Sequence, residues 1–98
     1  MKFEQIINDT TIHLYLGDLD MQRRTSTGKN FIGLSLTKHD DMHIQHDVTK
    51  PYELLDNSVD SVQSEDVMEH IEYADLKECI NEIYRILKPG GLFRLSMP

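Results

Sequence analysis

Apolar positions along the chain fall into two periodicities. In the C-terminal third, Leu76, Ile80, Ile83 and Leu87 recur at helical spacing with Tyr84 beside them. Glu78, Glu82 and Arg85 lie off that stripe, so the pattern predicts an amphipathic helix over Asp75–Leu87 with one wet face. Lys88 falls in its last turn, where a cation suits the negative end of the helix dipole. Pro89 cannot continue the helix, and Gly90 and Gly91 let the chain reverse. Leu92–Met97 then reads as a strand. Helix, Pro-Gly-Gly and strand make half of a crossover unit and imply an α/β sheet.

The rest of the chain follows the strand period. Residues 1–10 are a leader without clear structure. Ile12–Leu16 alternates and reads as a first strand, stopped by Gly17. Residues 18–30 are polar, lack a helical stripe and read as a loop. Phe31–Leu36 is a second strand, apolar enough for both faces to be covered. His43–His46 is a short third strand ending at Asp47, and Val59–Ser64 is a fourth. Asp66–Ile71 reads as a short helix that Ser64 is placed to cap. Five strands with helices concentrated in the second half indicate an α/β sandwich with a mostly parallel sheet. Only Thr37–Met42 joins the second and third strands, whereas a parallel crossover normally takes a dozen or more residues. Either this is a tight extended loop or those two strands pair differently.

Composition narrows the setting. A chain of 98 residues allows one small domain. Its net charge of −7 argues against nucleic acid or an anionic membrane as partner. Cys79 stands alone, so no intrachain disulfide forms, and a small buried thiol is expected. No apolar run approaches the roughly twenty residues of a membrane span, and the N-terminus lacks a signal-peptide pattern. A cytoplasmic location is the expectation.

Candidate chemistry follows from position. Ligands of parallel α/β sheets bind beyond the C-terminal strand ends. Those ends carry Gly17 with Asp18, Ser35 with Leu36, Asp47 with Val48, and Ser64 with Glu65. A carboxylate there can accept hydrogen bonds from a ribose hydroxyl or an exocyclic amine; a turn-forming aspartate is the plain alternative for Asp47. His39, Asp40, Asp41, His43, His46 and Asp47 form a dense run of metal-capable residues. His43 and His46, three apart on a strand, point to opposite faces, so no metal site is expected. Glu69 and His70 form either a general-base pair or a helix-end cap. Arg23 and Arg24 read as a solvated loop rather than contacts to an anionic substrate.

The run Asp47-Val48-Thr49-Lys50-Pro51, then Asp56 to Ile71, then Leu76, Glu82, Tyr84-Arg85-Ile86-Leu87-Lys88-Pro89-Gly90-Gly91-Leu92-Phe93-Arg94 and Pro98 resembles class I S-adenosylmethionine-dependent methyltransferases of the type 11 kind. The resemblance covers about Ile12 to Pro98. It implies a Rossmann-like, mostly parallel five-stranded sheet of order 3-2-1-4-5. It implies S-adenosylmethionine as cofactor, with Gly17 and Asp18 at its methionine part, Ser35 towards the ribose, Asp47 and Val48 on the adenine, and Ser64 and Glu65 near the reacting methyl. Glu65 and His70 become the candidate bases. The implied reaction is methyl transfer to an oxygen or nitrogen of a small molecule or sugar. The family's Gly-x-Gly motif is here Gly17-Asp18-Leu19-Asp20, where the Leu19 side chain would crowd a close backbone approach to a cofactor. The expected acidic end of the second strand is here Ser35. The chain is thus expected to be a single, incomplete domain over 1–98, without the family's C-terminal region and with a fifth-strand edge open to homo-oligomerisation. The alternative is a non-catalytic methyltransferase-like domain that acts as a binding or oligomerisation module.

Overall fold

The structure is a computed structural model and describes residues 1–65 and 67–96. Five parallel strands form one sheet: β1 (His13–Leu16), β2 (Phe31–Ser35), β3 (His43–Gln45), β4 (Val59–Glu65) and β5 (Leu87–Ser96). Their order is 3-2-1-4-5, the order that the sequence resemblance implies. One α-helix, α1 (Tyr73–Ile86), joins β4 to β5, and 3-10 turns occupy Phe3–Gln5 and Met68–His70.

The short β2–β3 connection is a tight extended loop, and the pairing is parallel, with Gly33 opposite His43 and Ser35 opposite Gln45. Because β3 begins beside Gly33, the chain has to return over only about 10 Å, three residues of strand rise. Residues 36–42 have ample reach for that without a helix.

Strand alternation divides the sheet into two unlike faces. Leu14, Leu16, Leu34, Ile44 and Val62 share one face and are joined in the core by Cys79, Ile83 and Ile86 of α1. Tyr52 and Leu54 close that core from the β3–β4 connection, held by Arg85. Its guanidinium donates to the carbonyls of Tyr52 (2.7 Å) and Leu54 (2.8 Å) and pairs with Glu82 and Asp56. The opposite face carries a small cluster of Tyr15, Leu19 and Phe31. Most of its other positions, among them His13, Ser61, Gln63 and Arg94, are polar, with Leu92 beside Ser61 the apolar exception. β2 is nonetheless covered on both faces, as its composition predicts: Phe31, Gly33 and Ser35 on the second face are buried, as is Leu34 on the first.

Several element bounds also differ. The helix starts earlier and ends at Ile86, and Leu87 already belongs to β5 opposite Val59. Leu87 extends the apolar stripe, and its N–H still caps α1 by donating to Ile83, but its backbone is extended. Tyr84 is 67% exposed rather than part of the buried stripe. Between Leu87 and Leu92 the strand bulges outward, because Val59 and Ser61 take those two as partners. A Cβ on Gly91 would lie 2.8 Å from the Lys88 carbonyl, so the bulge requires glycine there. Lys88 leaves the helix end and bridges Asp60 (2.9 Å) and the Thr10 carbonyl (2.8 Å). Ser64 does not cap a helix, because β4 runs on to Glu65 and only the 3-10 turn follows. Asp66 and Met97, assigned to a helix and a strand from sequence, lie outside the described residues.

Candidate functional site

A cleft of about 650 Å³ opens at the C-terminal edge of the sheet. The strand order creates it: the chain leaves β1 towards β2 on one side, while β4 flanks β1 on the other, and the connections diverge. The floor comes from Gly17, Leu34 and Leu36, one wall from His46 to Thr49, and the other from Val67 to Glu72 with Asp75. The cleft brings together five of the candidate residues, Gly17, Asp18, Asp47, Val48 and His70. Ser35, Ser64 and Glu65 do not line it.

Gly17 holds φ +114°, and a Cβ there would sit 3.3 Å from the Val67 side chain. A side chain would therefore both strain the turn and push the wall after β4 outward. Its N–H donates to Leu34 (2.9 Å), which continues the sheet pattern to the cleft floor. Beyond it, the Leu19 side chain does not crowd the cleft. It is buried against Tyr15 and Phe31 on the other face of the sheet.

That orientation is fixed by a buried histidine. The Leu19 N–H donates to His43 Nε2 at 2.8 Å, and His43 Nδ1 lies 2.8 Å from Asp40 Oδ1. An amide N–H can only donate, so Nε2 accepts and the proton sits on Nδ1, directed at the Asp40 carboxylate. The ring lies over Gly33, where a Cβ would be 2.5 Å from His43 Cδ2. His46 points elsewhere, edge-on to Phe3 and Tyr52 at 5.0 and 5.1 Å.

Asp47 is preset as an acceptor. Its Oδ1 takes the Thr49 hydroxyl (2.7 Å) and N–H (2.9 Å), which leaves Oδ2 without a protein partner among the described residues. The Thr49 side chain, then its backbone, hold the carboxyl below its ordinary value, so it is charged at neutral pH. With Asp18, Glu72 and Asp75 it makes four carboxylates around the cleft, and no Lys or Arg lines it. Such a cleft attracts cationic groups and hydrogen-bond donors and repels phosphate.

The other candidates sit at its margins. Ser35 Oγ accepts the N–H groups of Thr37 (3.1 Å) and Lys38 (2.8 Å), so it shapes the turn after β2. Ser64 Oγ is buried and has no partner among the described residues. Glu65 accepts from Arg23 (2.8 Å) and Gln63 (2.6 Å), with the Tyr15 hydroxyl at 3.4 Å. The Arg23 hydrogen bond is the main cause of its lowered pKa. Arg23 is therefore not a free loop cation; it also lies over the Tyr15 ring at 4.8 Å. The His70 side chain is 79% exposed and 3.9 Å from Glu69. Sequence reasoning did not single out Val67, Ile71, Glu72 and Asp75, because none of them directly follows a strand and Asp75 read only as a helix start.

A family profile described as a methyltransferase domain matches residues 12–95. No curated protein and no solved structure matches the chain.

Proposed function

The chain belongs to the methyltransferase-domain family, and from that premise we propose that its cleft binds S-adenosylmethionine and that the protein methylates an oxygen or nitrogen of a small molecule or sugar. One observation carries the cofactor reading. The cleft sets four carboxylates, Asp47 with an open oxygen among them, and no Lys or Arg, at the switch point of the sheet. A ligand bearing a sulfonium, an ammonium, ribose hydroxyls and an adenine amine fits that donor set. A dinucleotide with its pyrophosphate does not.

The residue roles are part of the proposal. Gly17 and Asp18 receive the methionine part, and Asp18 offers its carboxylate to the ammonium. Asp47 Oδ2 accepts from the adenine amine while Val48 packs on the ring. Ser35 acts on the ribose side through the Leu36–Thr37 turn that it holds. Ser64 and Glu65 lie at the β4 end, towards the reacting methyl. S-adenosylmethionine, when bound, supplies a methyl group activated by the positive sulfur. The protein's task is then to hold the acceptor in line and to exclude water. His70 is the more available base for the acceptor's proton, because Arg23, Gln63 and Tyr15 already occupy the Glu65 carboxylate.

Calorimetric titration with S-adenosylmethionine and S-adenosylhomocysteine tests the reading. Binding is expected, and Asp47→Ala should weaken it about tenfold, the worth of one hydrogen bond to a charged group. A folded sample that binds neither ligand would sink it.

A second reading rests on β5. Among the described residues nothing pairs with its outer edge, and Leu92 and Leu95 are 54% and 48% exposed. Such an edge supports self-association, with the domain acting as a binding or oligomerisation module. Sedimentation across a concentration series tests it: a monomer throughout removes the support. Among the described residues no helix is long and apolar enough to cross a membrane. We place the protein in the cytoplasm, with neither nucleic acid nor membrane as partner.

A further inference from the structure

The acidic chain carries four arginines, and three of them, Arg23, Arg24 and Arg94, line one groove on the polar face of the sheet. The groove encloses about 460 Å³ between the 23–27 segment and strands β4 and β5. It shares no lining residue with the acidic cleft. Its rim carries the hydroxyls of Ser26 and Thr27, and its floor includes His13 and Ser61.

The balance of charge decides what it can hold. One carboxylate, Asp60, lines the groove, a second, Glu65, pairs with its Arg23, and both are matched within the protein. Asp60 is taken by Lys88 (2.9 Å) and the Ile12 N–H (2.8 Å). Glu65 is taken by Arg23. Arg24 spends only its Nε, on Asn30 (3.1 Å), and Arg94 has no ion pair among the described residues. Among the described residues two guanidinium groups are therefore left in surplus, at a concave wall that mixes His13, Ser61 and Gln63 with Phe31, Val62 and Leu92, in a protein of net charge −7. Strand alternation explains the placement of Arg94: it pairs with Gln63, on the face opposite Phe93 and Val62.

From this geometry we propose that the groove is a binding site for a small phosphate-bearing molecule. Two planar guanidinium forks and neighbouring hydroxyls suit the several oxygens of a phosphate dianion. The volume admits a monophosphate ester or a diphosphate and excludes a folded polymer. The overall negative charge disfavours a nucleic-acid backbone.

The test is independent of any cofactor. The isotope-labelled full chain is titrated with inorganic pyrophosphate at constant ionic strength and followed by amide and arginine Nε–H resonances. Saturable shifts are expected at Ser26, Thr27, Arg24 and Arg94, with Asp18 and Asp47 unmoved. The double variant Arg24→Gln, Arg94→Gln alters only exposed side chains, and its folding is read from the same spectrum. It should bind at least about tenfold more weakly. Four results would overturn the site: no saturation, shifts confined to the acidic cleft, equal affinity for citrate, or unchanged binding by the double variant.

Discussion

Gly33 has no side chain because His43 occupies that space. A Cβ would meet the ring at 2.5 Å and the Gly17 carbonyl at 3.0 Å, so Gly33→Ala should cost about 1–3 kcal/mol by overpacking. Thermal unfolding reads that loss. A melting temperature equal to wild type would mean that the ring is not held as described. The Glu82–Arg85 pair makes a pH prediction. Arg85, ahead of the Tyr52 N–H, lowers the Glu82 pKa below its unfolded value. The stability it confers is thus present above the unfolded value and is lost as pH falls through the folded one. Glu82→Gln should flatten the acid limb of stability against pH; an unaltered limb refutes the assignment. At this scale the sequence was partly legible. Asp47 followed two residues later by Thr49 is a readable turn, and its position after a strand marked it as a candidate. The His43 bond to Leu19 was not readable, because it joins residues 24 positions apart through a ring lying on a glycine.

Elements were legible where period and burial agree. Cys79, Ile83 and Ile86 of α1 are fully buried, whereas Tyr84 is 67% exposed. Ile83→Ala should therefore cost about 2–4 kcal/mol, while Tyr84→Ala should stay within about 0.5 kcal/mol. Chemical denaturation midpoints separate the two, and similar losses for both would contradict the burial pattern. Period misplaced the helix end because Leu87 satisfies two patterns at once. It continues the helical stripe, yet its side chain packs from the first residue of β5. The segment 66–71 went astray for the opposite reason. Its carboxylates suit a helix start, but the described part forms only the three-residue turn Met68–His70. β2 reads as covered on both faces and is, with Phe31, Gly33 and Ser35 buried as well as Leu34; the polar second face of β1 and β4, at His13 and Ser61, is set by register, which a single strand's composition does not reveal.

For the whole molecule, the strand order was foreseeable only through the family resemblance, since alternation in β1 says nothing about which strands flank it. The same order separates the charges. It gathers carboxylates at the C-terminal edge and surplus arginines on the polar face, so added salt should affect cationic and anionic ligands at different places. The central position of β1 has a further consequence, in time rather than in space. β1 is the first strand made, but one of its two neighbours is β4, and the Ile12–Asp60 bond spans 48 positions. At synthesis rates of about 5–20 residues per second, the β4 side of β1 stays open for roughly 2–10 s. During that interval Leu14 and Leu16, fully buried in the finished sheet, have no β4 or α1 to cover them. The nascent chain thus carries Leu14 and Leu16 uncovered on the β4 side until Val59–Glu65 has been made.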